Sequence, residues 1–301
     1  YRLKSQDKGL ASNDKTTDLE NPIAVAYKNA PFLLPWERCI AVDIRDLIDS
    51  IYQRDGVIPE KIAGISGIKK LEGLKSDGKI SVDAVYERAR LDSISTVAIV
   101  VEHEESLHVE ELRESLQKII LAYLKNLEES YNTNFGNTSI VISPTGPWHS
   151  GGWKIDEGNR EAKPYRDGFA TYGVNVDSFS GEDPTKPSGT GTMTARNAAV
   201  SIVANDLADF ARVSLRYIPK IDSVDVNVTT NDTGKLSQDE LNEFVREKIP
   251  LLIPEAIEKF GLRNPELYRL IARNSDFFHN PKLPWNRPYI DVQKNIPTYH
   301  I

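Results

Sequence analysis

Thr194-Ala-Arg-Asn-Ala-Ala-Val-Ser-Ile-Val-Ala-Asn-Asp-Leu-Ala-Asp209, with Val213-Ser-Leu-Arg-Tyr217 close behind it, decides the fold. The first stretch predicts a helix over about 192–208, and the second a strand that the helix feeds. Val224, Val226 and Val228 then alternate with Asp225 and Asn227, the period of two expected of a strand with one buried face. Asp232-Thr-Gly234 supplies a turn. Ser237-Gln-Asp-Glu240 is a capping box, in which serine and glutamate satisfy each other's backbone N–H groups. Leu241, Phe244, Val245 and Ile249 give the helix that follows its buried side.

Toward the N-terminus the same signals recur. Ile40, Ile44, Leu47, Ile48 and Ile51 share one face of a helix predicted over 38–53, with Asp55-Gly56 as its stop. Ile94 to Val101 is a β-branched run and reads as a buried strand. A long helix over 107–129 carries the stripe Leu112, Leu116, Ile119, Ile120, Tyr123, Leu124 and Leu127. Ser139 to Ser143 is a short strand ended by a Pro-Thr-Gly turn. Residues 1–20 are polar and read as a mobile loop, and 149–190 are glycine-rich and irregular. Strands and helices mix without regular βαβ alternation, so the expected class is α+β.

Composition narrows the function classes. A chain of 301 residues is long enough for two or three domains, and its 40% hydrophobic and 27% charged content is that of a globular protein. The net charge of −7 argues against nucleic-acid or membrane-surface partners. The single Cys39 excludes an intramolecular disulfide framework and a cysteine zinc site, and fits a reducing, cytoplasmic setting. No apolar run approaches the roughly 20 residues that span a bilayer. The opening residues are too polar for a signal peptide, and the chain opens on Tyr1 rather than Met, so an upstream segment is expected.

Two loops carry the chemistry: Pro144-Thr-Gly-Pro-Trp-His-Ser-Gly-Gly152 and Ser180-Gly-Glu-Asp-Pro-Thr-Lys186. Glycines let backbone N–H groups approach phosphate, carboxylates can hold Mg²⁺, and an aromatic can stack on a base. Together they suit a nucleotide.

From about residue 18 onward the chain resembles the later two thirds of a methionine adenosyltransferase (S-adenosylmethionine synthetase). The resemblance is carried by Thr194 to Asp209, Val213 to Tyr217, Asp232-Thr-Gly-Lys235, the capped helix, Phe260-Gly-Leu-Arg-Asn-Pro265 and Phe278-His-Asn-Pro-Lys-Leu-Pro-Trp285. It implies similar α+β units about a pseudo-threefold axis, divided here as a remnant at 1–17, a central domain at 18–149 and a C-terminal domain at 150–301. It also implies a homodimer or tetramer that buries sheet faces, ATP and methionine as substrates, and Mg²⁺ and K⁺ as cofactors. Residue by residue, the matches to the family's phosphate-binding lysines are Lys79, Lys163 and Lys186. Trp148 matches an adenine-stacking aromatic, and Asp156 a ribose-binding carboxylate. Glu20 matches an acid near methionine. Arg160 is a nearby cation, and Glu182 stands in the phosphate loop. No metal ligand is assigned.

The pattern is broken at three places, where Ala162, Glu182 and Ser188 stand for an expected arginine, lysine and metal-binding aspartate. A wrong charge at about 4 Å is worth roughly 4 kcal/mol at an effective dielectric near 20, so weak triphosphate binding is expected unless Lys154, Arg160 or Arg166 compensates. The family's opening Gly-His-Pro-Asp-Lys segment has no counterpart in these residues. His103 and His108 flank an acidic turn and are expected to be exposed, whereas His149 falls within the nucleotide loop.

Overall fold

The helix expected over 192–208 begins earlier, at Pro187, and runs to Ala204. The computed structural model describes residue 16 and residues 18–52, 71–152, 168–169, 172, 181–219, 221–274 and 276–290. Pro187 sits in the first turn, where its missing N–H costs nothing, and Lys186 is the extended N-cap before it. This helix, α3 in chain order, is buried on nearly every side despite its Thr, Ser, Asn and Arg content. Its hydroxyls are satisfied one turn back: Thr192 donates to the Ser188 carbonyl at 2.6 Å, Thr194 to Thr190 at 2.9 Å, and Ser201 to Asn197 at 2.6 Å.

The chain divides into two compact units, one of residues 1–35 with 160–301 and one of residues 36–159. In the first, β1 (Ile23–Tyr27), β5 (Phe210–Arg216) and β6 (Asp225–Thr229) form an antiparallel sheet in the order β1-β5-β6. Val226 and Val228 are buried while Asp225 and Asn227 are exposed, as the alternation predicts. Helix α3 covers β1 and β5. The most buried charge in the unit is Arg196 of α3, which is fully enclosed. Its Nη1 donates to the carbonyls of Val25 at 2.6 Å and Leu33 at 3.0 Å, its Nη2 to Phe32 at 2.6 Å, and its Nε to Asn286 Oδ1 at 3.0 Å.

Helix α4 (Gln238–Lys248) starts at the expected capping box, with Ser237 N–H donating to Glu240 at 2.8 Å and Glu240 N–H to Ser237 Oγ at 3.3 Å. Leu241, Val245 and Ile249 are buried, and Phe244 is half-buried, edge-on to Tyr289. Two shorter helices complete this unit, α5 (Ile253–Phe260) and α6 (Pro265–Asn274).

In the second unit α1 (Trp36–Tyr52) and α2 (Val109–Tyr131) bury the stripes read from sequence, except Leu127, which is half-buried. They accompany a sheet in the order β2-β3-β4, from β2 (Leu74–Glu87), β3 (Arg90–His103) and β4 (Ser139–Ile142). β2 and β3 pair antiparallel, and β4 lies parallel to β3 after the α2 crossover. β1 and β2 are not among the strands read from the sequence, although Ile23, Val25 and Tyr27 alternate with alanines in β1 and Ile80 and Val82 with polar residues in β2. No helix among the described residues is long and apolar enough to cross a membrane.

At one end of the first unit, Lys28 Nζ lies 2.7 Å from Asp206 and 3.0 Å from Asp209, and Lys235 also pairs with Asp206. The bonds from Lys235 and Lys28 outweigh slight burial and hold the Asp206 carboxyl down from 3.8 to about 2. Asp206, opposed by burial and assisted by Asp209, pushes Lys28 up from 10.5 to about 12. The Asp206 contribution is therefore present above its unfolded pKa and lost as pH falls toward 2, while the Lys28 contribution is lost as pH rises through 12. Asp206→Asn is expected to flatten the acid limb of a melting-temperature profile between pH 4 and 2, measured by circular dichroism. A second expectation concerns the enclosed guanidinium. Arg196→Met strands the buried Val25 carbonyl and the half-buried Phe32 and Leu33 carbonyls and should cost about 3 kcal/mol in urea unfolding, and Arg196→Lys should not restore it because an ammonium cannot fork to all of them.

Candidate active site

The Pro144–Gly152 loop leaves β4 at Ser143, which is fully buried and left-handed at φ 43°. From there it is pinned to the ends of β2 and β3. His103 N–H donates to the Trp148 carbonyl at 3.0 Å. His149 Nδ1 donates to the His103 carbonyl at 2.9 Å, and the two imidazoles meet edge to face at 4.9 Å between centroids. Lys75 Nζ reaches Glu102 at 3.2 Å and the His149 carbonyl at 3.4 Å.

The third pin is Asp77, whose Oδ2 accepts from Gly152 N–H at 2.6 Å. Asp77 can do this because β2 bulges there: Leu74 pairs with His103 but Gly78 pairs with Val101, so the residues between leave the ladder. Gly78 closes the bulge where a Cβ would stand 2.9 Å from the Val100 carbonyl. Trp148, half-buried, turns its indole N–H to the Ser150 carbonyl. Its ring passes so close to Gly151 that a Cβ there would lie 2.5 Å from Cζ2.

Lys79 is exposed on β2, opposite Val100 and two residues beyond Asp77. The structure thus places Trp148, His149 and Lys79 in one unit, with Lys79 on β2 and the other two on the loop bonded to the β2-β3 pair. His103 corrects an expectation: it is buried rather than exposed, because β3 continues through it and the Pro144–Gly152 loop closes over it. Its Nδ1 donates to the Val101 carbonyl at 3.1 Å. His108 is exposed, as expected. Lys75, Asp77 and Glu102 were not singled out from sequence, although Ser-Asp-Gly inside a strand is the ordinary signal of a bulge.

In the other unit the Glu182–Lys186 loop is a turn with Asp183 first and Pro184 second, closed by Lys186 N–H to the Asp183 carbonyl at 3.0 Å. Asp183 Oδ1 accepts from Thr185 N–H at 2.9 Å and Thr185 Oγ1 at 2.8 Å. Burial works against this carboxylate, but the Thr185 bonds and the Arg263 charge prevail and hold it below the usual range. Glu182 takes Ser188 Oγ at 2.7 Å and lies 3.5 Å from Lys186 Nζ. Two of the three departures from the family pattern are therefore bonded to each other. The carboxylate beside Lys186 in this loop is that of Glu182, held by the Ser188 hydroxyl.

Glu20 bridges to Tyr217, its N–H and carbonyl bonded to the Tyr217 backbone at 3.2 and 2.9 Å. Tyr217 and Pro22 pack against Gly191 of α3, where a Cβ would come within 2.7 and 2.6 Å of them. Asp156, Arg160, Lys163, Ala162, Lys154 and Arg166 lie outside the described residues.

Among the described residues no three His, Cys, Asp or Glu side chains gather as a metal centre. Asp183 is engaged by Thr185, and Glu182 by Ser188 and Lys186. Among the described residues these two carboxylates by themselves do not make a Mg²⁺ site.

Residues 151–287 match the family profile described as S-adenosylmethionine synthetase, C-terminal domain. The S-adenosylmethionine synthase of Aquifex aeolicus is 31% identical over 278 residues, covering 92% of this chain and 69% of its own. That of Salinibacter ruber is 30% identical over 222 residues, 72% of this chain and 55% of its own. An unusual S-adenosylmethionine synthetase from Campylobacter jejuni superposes with a TM-score of 0.69 at 24% identity, over 90% of this chain and 68% of its own, and so shares the fold. The chain spans between 55% and 69% of these synthases. Identity of 31% sustained across more than two thirds of a relative makes this chain a member of the S-adenosylmethionine synthetase family.

Proposed function

We propose that this chain takes part in S-adenosylmethionine synthesis from ATP and methionine. The methionine sulfur attacks C5′ of the ribose and becomes a sulfonium, and the C5′–O bond breaks with its electron pair leaving on triphosphate. Water then cleaves the triphosphate to pyrophosphate and phosphate. The observation that carries this reading is the 31% identity to the Aquifex aeolicus synthase along 92% of the chain.

The chemistry needs no nucleophilic side chain, because the substrate brings its own. It needs a surface for the base and cations for the leaving group. Trp148 offers the base a face, on a loop bonded to His103, Lys75 and Asp77. Lys79, Lys163 and Lys186 are assigned to the phosphates, with Arg160 as a nearby cation. Asp156 is assigned to the ribose and Glu20 to the methionine side. Mg²⁺ and K⁺, when bound, supply further neutralisation of the triphosphate. Self-association as a homodimer or tetramer is part of the reading. It is supported by the β2-β3-β4 sheet, where Val97, Ile99 and Val101 are buried while Ala98 and Val100 on the opposite face stay half-exposed.

Incubation of the full-length protein with ATP, methionine, Mg²⁺ and K⁺ should give S-adenosylmethionine with pyrophosphate and phosphate by mass spectrometry. Nucleotide binding without product would mean that the fold serves recognition alone. The phosphate loop gives a narrower expectation. Glu182→Gln removes an anion that competes for Lys186, and should raise affinity for inorganic tripolyphosphate about tenfold by calorimetry at low salt. An unchanged affinity would detach this loop from the phosphates.

A further inference from the structure

Arg113, in the first turns of α2, is assigned no part by the sequence or by the reaction. Its Nε donates to the Ile142 carbonyl at 3.1 Å and its Nη2 to the Ser143 carbonyl at 2.6 Å. These are the last residue of β4 and the left-handed corner from which the Trp148 loop departs. In a strand that continues, successive carbonyls point to opposite edges, so one guanidinium cannot reach both from one side. The turn at Ser143 brings them together. β4 is the edge of its sheet among the described residues, and the fork meets its carbonyls on that open side. On the inner side Ser143 N–H still donates to the Ile99 carbonyl at 2.7 Å, and Gly146 N–H donates to the Ser143 carbonyl at 3.0 Å.

A left-handed non-glycine residue costs roughly 1 kcal/mol or more, and it persists only where its surroundings over-determine it. We infer that Arg113 is a positioning residue for the nucleotide loop: its fork holds the Ser143 corner, and the corner aims Trp148. This rests on the reading of Trp148 as the surface for the base. A guanidinium suits the task because its donors are coplanar and fixed in spacing, whereas a lysine ammonium supplies a single centre.

The test uses the full chain, Arg113→Met, Arg113→Lys, Trp148→Ala and the Trp148→Ala/Arg113→Met double variant. Hydrogen exchange over 143–152 is measured without ligand, and ATP and inorganic tripolyphosphate are titrated by calorimetry. Arg113→Met should speed exchange across the loop about tenfold while the capped helix 238–248 is unaffected. It should weaken ATP binding about fivefold to tenfold and leave tripolyphosphate, which has no base, unchanged. Arg113→Lys should fall between the two, and it serves if the methionine variant folds poorly. In the Trp148→Ala background the second substitution should add nothing, because both act through one surface.

Unchanged exchange in Arg113→Met, equal losses for both ligands, or losses that add in the double variant would overturn the inference and leave Arg113 as support for the fold. If Trp148→Ala alone left ATP binding intact, the reading of Trp148 would fall, and the positioning role with it.

Discussion

A guanidinium with no access to water organises the first unit. Arg196 sits inside α3 and gathers three main-chain carbonyls from β1 and from the turn after it, together with the Asn286 side chain. Two of these carbonyls belong to Phe32 and Leu33, both left-handed at φ 54°. Neither residue adopts that conformation cheaply, so the backbone is bent to meet the charge. A buried cation demands acceptors, and supplying them fixes how β1, α3 and the segment around Asn286 sit together within this unit. The Glu182–Lys186 turn leads directly into α3, so its place follows from the same anchorage.

In the second unit no single charge has that role, and many modest bonds converge on one loop. The loop around Trp148 is joined to two strands and one helix through His103, His149, Lys75, Asp77 and Arg113. Each such bond contributes about 1 kcal/mol net, but each also removes a direction in which the loop could move. The β2 bulge matters because it converts Asp77 from a ladder residue into a side chain that reaches across. Preorganisation of this kind lets a binding surface meet a nucleotide without first being ordered by it.

In the Glu182–Lys186 loop two departures from the family pattern are joined to each other. Read singly, glutamate for lysine adds repulsion and serine for aspartate deletes a ligand. Together they leave one carboxylate next to Lys186, reached from six residues upstream and held by the serine hydroxyl. That carboxylate comes from position 182, where the family pattern has lysine. Under the proposed function it competes for Lys186 with phosphate.

Sequence alone determined the α+β class, the amphipathic helices, the capped helix at Ser237 and the family. These rest on local periodicity, local capping chemistry and residue order, which survive without knowing what touches what. It marked Trp148, Lys79, Glu182 and Lys186 as residues to follow, and it misjudged His103, because exposure depends on a loop that returns from 45 residues later. Only the tertiary structure joined Glu182 to Ser188, turned Asp77 toward Gly152 and closed Arg113 on the Ser143 corner. The reason is physical. A hydrogen bond between distant residues is set by where two backbones are carried by packing, and no pattern in either segment encodes the meeting.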